Sequence, residues 1–255
     1  MKGHYAVIGD PILHSLSPQM MSAAFAECKI DATYEALRIT ADSLDQFLVR
    51  AEMEFFRGFN VTTPLKELVA RRLSKISDEA RTVNGVNVVR REGASFVGDN
   101  TDGAGFIDAL GALWQWKPQG ANVLVLGSGP AARAIAYRLR QENAASTACW
   151  SRNDRTAAWI GPRPEAVADL LVSTLPSNAM VPDDVLRYVG RNTLVFDVNY
   201  SETRTPIPPT VGSKRSNGLP MLLYQGARSF TWWTGQAAPL DAMRRAIGMT
   251  RQNPK

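Results

Sequence analysis

From Asn122 to Leu126 the chain is apolar. It then passes through Gly127-Ser128-Gly129-Pro130-Ala131-Ala132 into a helical pattern from about Ala131 to Gln141. A G-x-G-x-x-A turn entered from a strand and left by a helix is a dinucleotide-binding fingerprint in the context it needs. The first N–H groups of such a helix are unpaired and lie at the positive end of its dipole, so they suit a pyrophosphate. The constraint on the fold is severe, because a strand–turn–helix of this kind belongs to a parallel βαβ unit with helices packed on the sheet. Gly127, Ser128, Gly129, Pro130 and Ala131 are therefore cofactor-binding candidates, the alternative being a purely structural turn.

The next strand reads as Thr147 to Trp150. About 20 residues past the fingerprint, an acidic side chain marks NAD and an arginine marks the 2′-phosphate of NADP. Here the position falls in Ser151-Arg152-Asn153-Asp154-Arg155. Guanidinium groups suit a phosphate, so Ser151, Arg152, Asn153 and Arg155 join the cofactor set, and NADP(H) is the expected cofactor. Arg155 reads equally as a solvated surface residue.

The first hundred residues also alternate strands and helices. Strands are expected at His4 to Gly9, Thr33 to Ile39, Phe59 to Thr62, Val86 to Arg91 and Ser95 to Val97. Helices are expected at Gln19 to Cys28, Ser43 to Glu52, Lys66 to Arg72 and briefly near Ser77 to Val83. Ser17 and Asp42 read as helix caps, Pro18 as a first helical residue and Pro64 as part of the first turn of its helix. A long helical pattern from Thr101 to about Trp116 leads to the second half. There Leu170 to Thr174 and Leu194 to Asp197 read as strands, and Pro220 to Trp233 and Pro239 to Ile247 as helices. Gly161-Pro162-Arg163-Pro164 leaves little room for a full crossover helix. The expected class is α/β with two domains: a mainly parallel-sheet substrate domain at residues 1–101 plus 237–255, and a Rossmann-type dinucleotide domain at 102–236.

Within the first domain, Gly58-Phe59-Asn60-Val61-Thr62-Thr63-Pro64-Leu65-Lys66 is a short strand stopping at a proline before a helix. Ligands of open α/β sheets lie beyond the carboxyl ends of strands, so Asn60, Thr62 and Lys66 belong at a cleft. Two hydrogen-bonding side chains and an amine suit a polyhydroxylated substrate and a proton transfer. The same stretch also reads as a surface loop with an ordinary lysine. Ser15 and Ser17 begin the first helix, where turn chemistry accounts for them and an anion also fits.

Composition narrows the classes. The chain has 255 residues, a formal net charge of +5, 45% hydrophobic and 21% charged residues. Its basic residues are scattered and not banked on one segment, which argues against nucleic acid and for a mildly basic enzyme that attracts anionic ligands. No apolar run reaches membrane-spanning length and no signal peptide is read. Cys28 and Cys149 lie far apart without metal-type spacing, and the histidines are His4 and His14. A reducing cytoplasm, no disulfide and no metal site are expected.

Five motifs in order carry a resemblance. Ser15-Leu16-Ser17-Pro18, the Asn60-to-Lys66 stretch, Gly85-Val86-Asn87, Asn100-Thr101-Asp102-Gly103 and Gly218-Leu219-Pro220-Met221-Leu222-Leu223-Tyr224-Gln225 resemble the shikimate dehydrogenase family, from Tyr5 to about Gly235. The resemblance implies NADPH-dependent, reversible reduction of 3-dehydroshikimate to shikimate, the substrate lying between the domains. It implies that Ser15 and Ser17 hold the carboxylate and that Asn60, Thr62, Asn87, Asp102 and Gln225 meet the hydroxyls. Tyr200 matches a tyrosine at the cleft, and Val198 and Gly218 match backbone contacts to the nicotinamide. Reduction of a ketone builds negative charge on its oxygen. No histidine stands in a matched motif, so Lys66 is the expected proton donor, with Asp102 holding it. Partners are a small molecule, no nucleic acid and no membrane, in a monomer or homodimer. The chain departs from the family's usual forms at Thr63, Leu65 and Val88 and has Ser-Arg-Asn where Asn-Arg-Thr is usual. Relatives acting on quinate or an amino-analogue, and a non-catalytic sensor, remain rivals; retention of both Lys66 and Asp102 speaks against the sensor.

Overall fold

The computed structural model describes residues 2–151, 159–160, 162–200 and 205–250. The chain forms two compact units, Met1–Gly105 with Leu222–Lys255, and Phe106–Met221.

The first unit is built on strands β1 (Gly3–Gly9), β2 (Ala32–Arg38), β3 (Gly58–Val61), β4 (Lys75–Ile76), β5 (Val88–Glu92) and β6 (Ser95–Asp99). They lie in the order β2-β1-β3-β5-β6-β4, and β5 alone runs against its neighbours. The run Tyr5 to Gly9 is buried throughout, as a strand covered on both faces requires. Alternation then sorts its side chains. Ala6 and Ile8 join Phe47, Phe56, Phe59 and Phe96 in one core, with Phe59 edge-on to Phe47 at 5.2 Å and to Phe96 at 5.3 Å. Tyr5 faces the other way, 4.9 Å from both Phe25 and Trp233.

Helices α1 (Ser17–Glu27), α2 (Leu44–Met53), α3 (Lys66–Arg72) and α4 (Asp78–Thr82) alternate with these strands. Three cap readings are corrected. Ser17 is the first helical residue, with Leu16 at the cap position, because Ser15 Oγ already accepts from the Ser17 N–H at 3.3 Å. At α2 the cap position is Ser43, not Asp42, and Ser43 Oγ accepts from the Thr40 N–H rather than from the helix. Pro64 precedes α3 and does not open it: a turn closed by Leu65 N–H on the Thr62 carbonyl at 2.9 Å encloses it. Ser77 does cap α4, accepting from the Ala80 N–H.

Helices α5 (Asp102–Trp114) and α8 (Leu219–Thr234) each run from one unit into the other, and α9 (Leu240–Ala246) packs on α1. The first unit takes up the chain again at Leu222, whereas the sequence reading drew that return at residue 237. The reason is packing. Trp233 Nε1 of α8 donates to the Val89 carbonyl at 2.9 Å, and Phe230 lies 5.5 Å from Phe25.

The second unit carries β7 (Asn122–Leu126), α6 (Pro130–Gln141), β8 (Ser146–Trp150), β9 (Trp159–Ile160), β10 (Ala168–Ser173), α7 (Asp183–Leu186), β11 (Val189–Asp197) and β12 (Arg215–Ser216). The sheet order is β12-β11-β10-β7-β8-β9, parallel except for β9 at the edge. Between β10 and β11 the crossover helix is reduced to the four residues of α7. Val185 of α7 packs in one core with Leu124, Leu171, Val195 and Ile207, and Phe106 meets Phe196 edge-on at 5.1 Å. No helix among the described residues is long and apolar enough to cross a membrane.

Candidate active site

Strands β1, β3 and β6 end at the same edge of the first sheet, and β5, running the other way, begins there. Backbone hydrogen bonds continue the ladder past the strand ends: Thr62 N–H to the Ile8 carbonyl, Val61 N–H to that of Asn87, and Asn87 N–H to that of Asp99. Lys66, Asn87 and Asp102 thus come from three different connections to one place, beyond strand ends, where open sheets bind ligands.

Lys66 Nζ donates to Asp102 Oδ2 at 2.6 Å, and the two side chains are 14% and 5% exposed. Asp102 opens the thirteen-residue α5, so the helix dipole favours its negative charge. Its N–H donates to Asn100 Oδ1 at 3.0 Å, and its other oxygen accepts from Asn87 Nδ2 at 2.8 Å. A buried ion pair needs such extra bonds to offset the loss of water. The result is an ammonium group held at a fixed point, a proton donor with one partner oxygen.

The surrounding amides are tightly committed. Asn87 Oδ1 accepts from the Thr101 N–H at 2.7 Å, while Asn87 Nδ2 is also 3.0 Å from Thr101 Oγ1 and 3.3 Å from Gln225 Oε1. Gln225 Nε2 donates to the Leu222 carbonyl. Asn60 Nδ2 donates to the Asn87 carbonyl at 3.1 Å and to Ser229 Oγ at 2.9 Å, and Tyr34 Oη donates to Asn60 Oδ1 at 2.8 Å. Ser15, Ser17 and Thr62 stand at the neighbouring ends of β1 and β3: Ser17 is buried, Ser15 and Thr62 half-buried.

In the second unit the glycine turn can be tested for fit to a dinucleotide. Gly127 has φ +123°, and a Cβ there would lie 2.0 Å from Thr174 Oγ1. Only glycine meets both conditions. Gly129 caps α6 in extended conformation, and nothing lies within 4 Å of where its Cβ would be, so the approach to the helix N-terminus is open. Ala132 is buried, its Cβ 3.7 Å from where a Cβ on Gly127 would lie. Ser128 Oγ is 2.9 Å from Ser151 Oγ, joining the turn to the end of β8. These are the three demands of the fingerprint: tight turn, open approach and close helix–strand packing. Pro130 and Ala131 form the first turn of α6. Further along, a Cβ at Gly218 would lie 1.9 Å from the Val198 carbonyl oxygen, and Asp197 Oδ1 accepts from the Asn199 N–H to hold that turn. Tyr200 follows, half-buried. Arg152, Asn153 and Arg155 lie outside the described residues.

Comparison with known proteins bears on both units. Residues 7–89 match the shikimate dehydrogenase substrate binding domain, and residues 218–247 the shikimate 5'-dehydrogenase C-terminal domain. A shikimate dehydrogenase (NADP(+)) of Staphylococcus aureus strain Newman is 32% identical over 95% of this chain and 97% of its own length. The chain belongs to the shikimate dehydrogenase family.

Solved members agree in fold. The Thermus thermophilus shikimate 5-dehydrogenase in complex with NADP(H) and shikimate is 31% identical, covers 96% of this chain and 98% of its own, and has a TM-score of 0.83. The 5-ketofructose reductase of a Gluconobacter strain reaches 0.80 at 26% identity, covering 97% and 98%. Within this shikimate dehydrogenase family member, the structure joins Lys66, Asp102, Asn87 and Gln225 by hydrogen bonds. Sequence reasoning missed Thr101, Ser229 and Tyr34. Ser229 lies four residues after Gln225 on α8, a spacing that places both on one helix face. Nothing local marks Tyr34, which meets Asn60 through the sheet.

Proposed function

We infer that this protein is an NADP-dependent oxidoreductase that interconverts 3-dehydroshikimate and shikimate. The observation that carries the reading is the Lys66–Asp102 pair, largely buried beyond the strand ends, with Lys66 inside the substrate-domain match at residues 7–89. Bound NADPH supplies the hydride. As that hydride reaches the carbonyl carbon, negative charge develops on the oxygen and Lys66 delivers a proton to it, leaving a hydroxyl and a neutral amine. Solvent then reprotonates the amine. In the oxidative direction Lys66 takes the hydroxyl proton. Asp102 holds Nζ in place and accepts from a substrate hydroxyl.

Ser15 and Ser17 take the substrate carboxylate, and Thr62, Asn87, Gln225 and Tyr200 line its ring hydroxyls. Asn60 has both amide hydrogens in use and can offer a substrate one lone pair only. The dinucleotide lies along Gly127–Ala131 with Ser151, Asn153, Val198 and Gly218, and Arg152 with Arg155 takes the 2′-phosphate. The chain acts in the cytoplasm as a monomer or homodimer.

Thr63, Leu65 and Val88 keep a second substrate in view, since the ketofructose reductase shares the fold. A spectrophotometric screen of shikimate, quinate and aminoshikimate with NADP and NAD, and of 5-ketofructose with NADPH, tests the reading. Shikimate with NADP should give the highest kcat/KM. A higher value for quinate or 5-ketofructose would reassign the substrate, and no turnover with any would leave a ligand sensor.

A further inference from the structure

We propose that Tyr34 is a positioning residue for the Lys66–Asp102 pair, acting through Asn60 and Asn87. The proposal rests on the reading of Lys66 as proton donor. The chemistry of the partners dictates each amide's orientation. The Asn87 carbonyl can only accept, so the atom of Asn60 that faces it at 3.1 Å must be Nδ2. That turns Asn60 Oδ1 to the Tyr34 hydroxyl at 2.8 Å. The second Nδ2 hydrogen goes to Ser229 Oγ at 2.9 Å.

The same logic applies one step on. The Thr101 N–H can only donate, so Asn87 Oδ1 faces it and Asn87 Nδ2 faces the acceptor-only Asp102 Oδ1. One directed series therefore runs from the Tyr34 phenol through Asn60 to the Asn87 backbone, and from the Asn87 side chain to Asp102 and Lys66. The Asn87 carbonyl is held twice, by Asn60 Nδ2 and by the Val61 N–H at 2.8 Å.

Tyr34, Asn60 and Asn87 are 6%, 7% and 2% exposed. At that burial an unpaired polar atom is costly, so the amide with every donor used is strongly favoured over its flipped form. Without the phenol, Asn60 Oδ1 loses the hydroxyl that donates to it, and the amide is held less firmly. The Asn87 carbonyl and Ser229 then share a loosened amide. Asp102 loses a rigid neighbour although neither Asp102 nor Lys66 is itself altered.

Tyr34→Phe tests this by kinetics and by hydrogen exchange of the Asn60 side-chain amide in 15N-labelled protein. The expected result is a kcat lower by about tenfold, the size of one neutral hydrogen bond, with KM for shikimate within about twofold. The Asn60 Nδ2 hydrogens should exchange faster, and Tyr34→Phe added to Asn60→Ala should cost nothing more. Unchanged kcat with slow exchange would overturn the proposal. So would a rise in KM with kcat intact, which would place the effect of Tyr34 on substrate binding and not on the Lys66–Asp102 pair. If Tyr34→Phe fails to fold, Ser229→Ala removes the other side-chain partner of the same amide and carries the same readouts. Exchange needs no turnover, so an unmodified protein inactive on shikimate would count against the function while the exchange result still judged Tyr34.

Discussion

The two units prepare for their ligands by opposite means. The first holds Lys66, Asp102, Asn87, Gln225, Thr101, Asn60 and Ser229 in one net of side-chain hydrogen bonds, drawn from β3, α3, α5, α8 and the connections before β5 and α5. The second offers backbone: a turn at Gly127 that tolerates no side chain, and an open helix start at Gly129. Side-chain nets discriminate among hydroxyls and can hold a proton donor. Backbone cradles grip a phosphate group common to many cofactors and leave its identity to a few flanking residues. Substitutions should therefore act locally in the first unit by chemistry and in the second by shape.

The largest expected effect on the second unit is Gly127→Ala. A Cβ 2.0 Å from Thr174 Oγ1 at φ +123° combines overpacking with a strained backbone, together about 2–6 kcal/mol. Thermal unfolding should show the loss, and the stabilisation that NADP confers on Tm should vanish. An Ala variant that still gains Tm from NADP would break the claim that shape governs this unit. Next comes Arg152→Ala, which should lower kcat/KM for NADP about ten- to a hundredfold, the value of a charge-assisted hydrogen bond, and spare NAD. Equal use of both cofactors by the unmodified chain would contradict it. Ser15→Ala sharpens the comparison from the other side. It should raise KM for shikimate by about five- to tenfold, one neutral hydrogen bond, with KM for NADP unmoved. An unchanged KM would return Ser15 to its local role as acceptor from the Ser17 N–H.

What the sequence made legible differs between the units in the same way. The glycine turn is local: strand, turn and helix announce themselves between Asn122 and Gln141, and the structure matches them nearly residue for residue. Alternation of buried strands likewise gave β1, β3, β5 and β6. The caps at Ser17, Asp42 and Pro64 were misplaced because a hydroxyl or proline signals a turn without saying which residue of it enters the helix. The two-residue strands β4, β9 and β12 are too short for any periodicity. The helical pattern of α8 was plain, but its apolar face does not say which unit it covers. Trp233 on Tyr5 and Val89 settles that through tertiary contact. The pairing of Lys66 with Asp102 followed from ordered motifs. Tyr34 and Ser229 did not, since their link to Asn60 exists only once β2, β3 and α8 are assembled.

The central claim is that the first unit supplies the proton through Lys66 while the second binds the dinucleotide. Lys66→Met keeps the length of the side chain and removes the ammonium, so a steady-state assay with shikimate and NADP tests the claim most directly. General acid–base catalysis contributes about 10²–10⁴-fold, and kcat should fall by that order while KM for NADP is unchanged and KM for shikimate moves only about a few-fold. A folded Lys66→Met protein with near-normal kcat would show that another group delivers the proton.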